Sequence, residues 1–184
     1  MPRPGSSWRS WPIWWASGTS RVIDSGPRLW ENSGPLRLLD ARRLFTDLPV
    51  VHLATTFADG SPHVVPLWFI WREEGVYVSC RRDSATWRNV ERDPRVALAF
   101  NLGRSWRELA GVELVGRAEP LVPEHPALRS VMSQWFEKYR LLLTGEGFRD
   151  YARQVESPGI LRVRPDRLAS WDHAAREAPR DAVG

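Results

Sequence analysis

The run HVVPLWFIW, from His63 to Trp71, limits the fold more than any other stretch: it is apolar at both odd and even positions and carries a proline at Pro66. Alternate strand residues face opposite sides of a sheet, so such a run needs a core on one face and a ligand or second subunit on the other. Proline removes a ladder donor, which suits an edge, a bulge, or a place where the strand leaves its neighbour for something else.

Around this second strand the chain reads as a succession of short elements. In VVHLATTF, Val51, Leu53, Thr55 and Phe57 share one face and His52 and Thr56 the other, a first strand closed by the turn Ala58-Asp59-Gly60-Ser61. VYVSC makes a third strand, Asp83 or Ser84 caps a helix over Ala85–Arg92, and Asp93-Pro94 stops it. RVALAFN is a fourth strand and Gly111–Leu121 a fifth. Helical spacing marks Leu36–Leu48, and again the stripe Leu128, Val131, Met132, Trp135, Phe136, Tyr139, Leu142, Leu143. A shorter helix is expected over Phe148–Val155, then a strand at GILRVRP and a separate apolar element at Leu168–Trp171. Many short strands with helices outside them predict an α+β barrel.

At 184 residues the chain holds one ordinary domain. The expected division is an extension over 1–35, a domain over 36–173 and a polar tail over 174–184. The extension mixes Gly, Ser, Pro, Trp and Arg without a sustained period, and is expected to lack a stable fold. It is either a segment packed on the domain or the product of a start site placed too far upstream. Interfacial membrane contact through Trp11, Trp14 and Trp15 is the sharper alternative, but WPIWWASG is too short for an anchor. No nucleic acid is expected, because the 26 basic residues are interspersed with 22 acidic ones rather than gathered in a stripe. Cys80 is the sole cysteine, which excludes an intrachain disulfide and fits a reducing cytoplasm. His52, His63, His125 and His173 have no paired spacing, so no metal site is expected.

Chemistry is concentrated in Ser79-Cys80-Arg81-Arg82-Asp83-Ser84-Ala85-Thr86-Trp87-Arg88-Asn89. Unpaired N–H groups and the local dipole at a helix start favour an anion, so Arg81 and Arg82 beside Ser84 and Thr86 make a phosphate cradle. The plainer alternative is a capped helix preceded by surface arginines. Cys80 has no patterned base to activate it and is read as packing.

The pieces ADGSPHVVPLWFIW, YVSC, SATWRNVERDPRVALAF, GVELVGRAEPL and ILRVRPDRLASWD, in that order, resemble the pyridoxamine 5′-phosphate oxidase-like superfamily, and within it the actinobacterial flavin- and deazaflavin-dependent oxidoreductases. The likeness runs from about Leu48 to Asp172. It implies an α+β split β-barrel of FMN-binding type with peripheral helices, a homodimer holding FMN or the deazaflavin coenzyme F-420 between subunits. By resemblance, His63, Val64, Val65, Pro66, Leu67 and Trp68 would line the ring. Ser79, Cys80, Ser84 and Thr86 would hold the phosphate. Many relatives carry lysine where this chain has Thr86 and arginine near Ser84, a departure that implies either compensation by Arg81, Arg82 or Arg88 or a low cofactor affinity. Trp171 would approach the cofactor across the dimer.

The function so implied is a cytoplasmic oxidoreductase in which the cofactor carries hydride chemistry and no side chain need act as acid or base. Its substrate would be small and flat, in a cleft walled by Trp68, Trp106 and the Val131–Leu143 helix. The competing class is a non-catalytic binder or carrier of a flavin, a deazaflavin or haem. Pyridoxamine 5′-phosphate oxidation itself would need a second phosphate site, and no second set of arginines matches one.

Overall fold

The computed structural model describes residues 28–31, 36, 38–142 and 158–173. In chain order the elements are β1 (Arg28–Glu31), α1 (Leu38–Phe45), β2 (Val51–Thr56), β3 (Pro62–Leu67), β4 (Phe69–Arg72), β5 (Gly75–Arg81), α2 (Ala85–Arg92), β6 (Arg95–Leu102), a 3-10 turn (Trp106–Glu108), β7 (Ala110–Pro120), α3 (Leu128–Tyr139) and β8 (Pro158–Asp172). The sheet runs β3-β2-β6-β7-β8-β5-β4 with every neighbour antiparallel, and β1 pairs in parallel with β8.

Why this sheet must roll up follows from its two ends. β3 and β4 lie at opposite ends of the strand order, yet only Trp68 separates them in sequence. They can be adjacent only if the sheet curls until its edges meet, and Trp68 O accepts from Ser79 N at 3.0 Å where they do. This corrects the single strand expected from His63 to Trp71. The chain keeps its direction, but at Trp68 it exchanges β2 for β5 as its partner.

Alternation then fills the interior. Val51, Leu53, Val76, Val78, Leu98, Phe100, Leu114 and Leu161 point inward and are buried, joined by Phe45 of α1 and by Trp87 and Val90 of α2. Outside the barrel, Val131, Trp135 and Tyr139 of α3 pack on Ile70, Tyr77 and Ile160. Of the apolar stripe expected on α3, Phe136 and Leu142 remain exposed, and Leu143 lies outside the described residues. The helix expected over Phe148–Val155 also lies outside them.

The two elements expected from Gly159 onward are one strand, β8. A bulge where Val115/Gly116 face Arg167 and Pro165 shifts its register, so Val163 and Leu168 both reach the core at an odd spacing. Beyond Val163 the edge of β8 leaves β5, and β1 covers it between Arg167 and Ser170. These four β1 residues belong to the extension read from sequence as lacking a stable fold.

Changing partner at Trp68 leaves the Phe69 backbone in need of hydrogen bonds, and α3 supplies them. Phe69 N donates to Tyr139 Oη at 2.8 Å, and the phenol proton has Pro49 O and Phe69 O as acceptors, each at 3.0 Å. Lys138 Nζ donates to Thr46 O at 2.8 Å and Phe69 O at 3.0 Å, and stands 3.5 Å from the Phe69 ring centroid. Burial pulls the Lys138 ammonium down to about 8, although the Asp47 carboxylate favours its charge. Below pH 8 both folded and unfolded chains are protonated here. As pH rises toward the ordinary lysine value of 10.5 the folded chain sheds this proton first, so the unfolded chain binds more and stability rises. Urea midpoints of the wild type minus those of Lys138→Met should therefore increase from pH 8 to 10.5. A flat or falling difference would contradict this placement of the charge.

Candidate functional site

Helix α2 begins as its sequence requires. Ser84 is the N-cap, its Oγ accepting from Trp87 N at 3.2 Å, and Asp93 N closes the other end on Asn89 O at 2.8 Å. Trp87 is buried, and the edge of its indole presses on Gly159 so closely that a Cβ there would meet it at 2.4 Å. The Arg82 guanidinium stands 5.7 Å from the Trp87 ring, which holds it beside the first turn of the helix.

The other basic groups divide by what they touch. Arg81 forks onto the Asp83 carboxylate, with Nε to Oδ1 at 2.8 Å, and that guanidinium holds Asp83 below the ordinary carboxylate range. Arg88 Nη1 donates to the Asp83 carbonyl at 2.6 Å, bringing its charge to the same helix end. Among the described residues neither Arg82 nor Arg88 has a carboxylate partner, and the N–H groups of Ala85 and Thr86 have no acceptor. The start of α2 is therefore cationic and carries free donors.

Several side chains expected at a phosphate face elsewhere. Thr86 is 3% exposed, the Ser84 hydroxyl is engaged in the cap, and Cys80 belongs to the core. Burial pushes the Cys80 thiol up to about 11, leaving it protonated and unreactive at neutral pH. Ser79 is half-buried, with its N–H on Trp68 O.

Along β3, Val64 and Pro66 point outward and are exposed, whereas His63, Val65 and Leu67 are half-buried on the opposite face. β3 pairs with β2 alone, so its second edge has no ladder partner among the described residues. Trp68 is turned away, stacked on Tyr139 at 4.7 Å and 11°. Trp106 is 68% exposed and meets the His173 ring at 4.1 Å beyond the end of β8, while Trp68 adjoins Ser79, which is paired with Ile160 near its start. The structure thus does not gather Trp68 and Trp106 into one wall. Trp171 likewise lies at the far end of β8, its indole over Gly111, and within one chain it is not near α2's first turn.

Sequence reasoning missed the link between α2 and β3. Asn89 Nδ2 donates to Thr55 Oγ1 at 3.0 Å, and Thr55 Oγ1 lies 3.0 Å from His63 Nδ1. Thr55 shares its strand face with the apolar Val51, Leu53 and Phe57, and a polar residue among them is the one signal the sequence offers. A cavity of about 180 Å³ is lined by Glu113, Val115, Arg167, Leu168 and Ala169, and by none of these residues. Among the described residues no cluster of potential metal ligands occurs and no helix is long and apolar enough to cross a membrane.

Known structures share this architecture. A conserved hypothetical protein from Mycobacterium tuberculosis is 26% identical with a TM-score of 0.66, covering 84% of this chain and 96% of that one. The haem storage protein HutZ from Vibrio cholerae is 21% identical with a TM-score of 0.57, covering 72% of this chain and 94% of its own. An F-420 reductase is 23% identical with a TM-score of 0.54, covering 69% and 94%. No curated protein matches. The family model described as pyridoxamine 5′-phosphate oxidase matches residues 40–172, from within α1 to the end of β8. With the split-barrel topology and that match over most of its length, the chain belongs to the pyridoxamine 5′-phosphate oxidase family.

Proposed function

We propose that the chain, as a homodimer, binds a flavin-type cofactor, FMN or coenzyme F-420, and serves as an oxidoreductase on a small flat organic substrate. One observation carries this reading. Helix α2, about 12 Å long for its eight residues, has Arg82, Arg88 and free N–H groups at its start, and through Asn89 and Thr55 reaches the open-edged strand β3. A phosphate would sit on the Ala85 and Thr86 N–H groups between Arg82 and Arg88. A ring would lie along His63–Leu67, using backbone groups that no neighbouring strand takes. Residues 36–173 form the cofactor-binding domain in this reading, with the four residues of β1 added to its sheet from the extension.

A second copy of the chain completes the site. Val64, Ala54, Ala97 and Val115 lie side by side across four strands on the outer face, with Val64 59% exposed, and no helix covers them among the described residues. Such a face of small apolar side chains suits a flat self-association, which would bring Trp171 of the second copy toward the cofactor.

A bound cofactor of this class supplies hydride transfer. The protein's part is then to hold the phosphate by charge, fix the ring against β3 and exclude water by dimerisation. The buried Cys80 thiol takes no part.

Titrating the full-length chain with FMN and separately with coenzyme F-420, followed by tryptophan quenching, is expected to give saturable micromolar binding of one of them. Binding of neither would overturn the reading. The burial of Thr86, which offers no ammonium to a phosphate, favours a second reading as a non-catalytic flavin, deazaflavin or haem binder. Tight binding without turnover by any reductant or acceptor would select it.

A further inference from the structure

Three side chains, Arg92, Asn89 and Thr55, form a hydrogen-bonded series from α2 to His63 of β3. Arg92 has donors only, and it donates through Nη1 to Asn89 Oδ1 at 3.2 Å and through Nη2 to the Thr56 carbonyl. With the Asn89 oxygen committed to Arg92, the amide NH₂ is left to face Thr55, and Nδ2 donates to Thr55 Oγ1 at 3.0 Å. Thr55 and Asn89 are only 4% and 2% exposed, so water does not compete for these positions. Having accepted from Asn89, the Thr55 hydroxyl has one proton to give, and His63 Nδ1 lies 3.0 Å away. Were Nδ1 the donor instead, the buried Thr55 proton would be left without an acceptor among the described residues; with Nδ1 as the acceptor, the neutral imidazole carries its proton on Nε2. That nitrogen makes no hydrogen bond among the described residues, while the Phe57 ring meets the imidazole at 4.8 Å and 66° and steadies its plane.

We propose that the Arg92–Asn89–Thr55 relay fixes His63 as the Nε2–H tautomer, so that its free nitrogen is a donor and selects ligands presenting a hydrogen-bond acceptor at the rim between β3 and α2. Arg92, Asn89 and Thr55 are positioning residues; His63 is the one that touches ligand. The ligand half of the proposal rests on the cofactor reading above, and its acceptor is a ring carbonyl of the pyrimidinedione edge that flavins and deazaflavins share. The relay half does not depend on it.

The relay is tested in ligand-free, full-length protein carrying ¹⁵N-histidine, with long-range proton–nitrogen correlations recorded at pH 9. A single His63 tautomer with bare Nδ1 is expected. Thr55→Val, which removes the hydroxyl at nearly constant volume, should give a mixture of tautomers, and Thr55→Ser should restore the single one. A wild-type Nδ1–H tautomer, or a Thr55→Val spectrum like the wild type, would overturn the relay; if Thr55→Val does not fold, the wild-type spectrum decides alone. With FMN and coenzyme F-420 as probes, His63→Phe should weaken binding about three- to tenfold, the worth of one hydrogen bond. Unchanged affinity in a variant that still binds would overturn the ligand half. Binding of neither probe by the wild type would overturn the cofactor reading and the ligand half with it, leaving the relay to stand or fall on the ligand-free spectrum.

Discussion

Replacing Tyr139 by phenylalanine should destabilise the protein by about 1–3 kcal/mol, the cost of leaving a buried polar group without its partner. Among the described residues the phenol is the acceptor given for Phe69 N, at 2.8 Å, and it donates toward Pro49 O and Phe69 O. Tyr139 is 1% exposed and Phe69 fully buried, so water cannot take over. Burial pushes the phenol up to about 12, which keeps it a neutral donor at any ordinary pH. The substitution retains the ring stacked on Trp68, so packing changes little and the loss reports the hydrogen bonds. Urea or thermal unfolding measures the loss, and hydrogen exchange at the Phe69 amide should accelerate with it. A midpoint unchanged to within experimental scatter would mean that the strand break at Trp68 is supported in some other way.

The second large effect concerns binding. Arg82→Gln combined with Arg88→Gln should weaken the titrated cofactor about a hundredfold, because each charge-assisted bond to a phosphate is worth about 1.5–3 kcal/mol and exposure reduces both. Arg81→Gln should change affinity little by comparison. Its guanidinium is held by Asp83, both side chains being about half exposed. Since all three arginines lie on the surface, thermal stability should be nearly unaffected in every variant. Equal losses from Arg81→Gln and from the double substitution would show general charge attraction rather than a cradle at the start of α2.

Local signals located most elements and failed where partner choice decided them. The bounds of α2 were legible because Ser84 and Asp93-Pro94 are chemical start and stop signals. β6 alternates buried and open residues from Arg95 to Asn101 as its pattern requires. The exchange of partners at Trp68 was only hinted at by Pro66, since a strand apolar on both faces looks the same whether it follows one neighbour or two. β8 looked like two elements because its bulge breaks the two-residue period between Val163 and Leu168. Nothing in the helical stripe distinguished Tyr139 from its apolar neighbours, nor showed that Lys138 would reach two carbonyls. At the candidate site, the cap at Ser84 and the arginines before and within α2 were legible in the sequence. The division of those arginines, with Arg81 held by Asp83 and Arg82 laid over Trp87, depends on side-chain geometry that spacing does not contain.

A crystal structure of the full-length chain grown with whichever cofactor titrates more tightly tests the central claim most directly. The account predicts phosphate oxygens on the Ala85 and Thr86 N–H groups between Arg82 and Arg88, and the ring along His63–Leu67 at an interface of two copies. A phosphate bound elsewhere, or a ring seated away from β3, would contradict it.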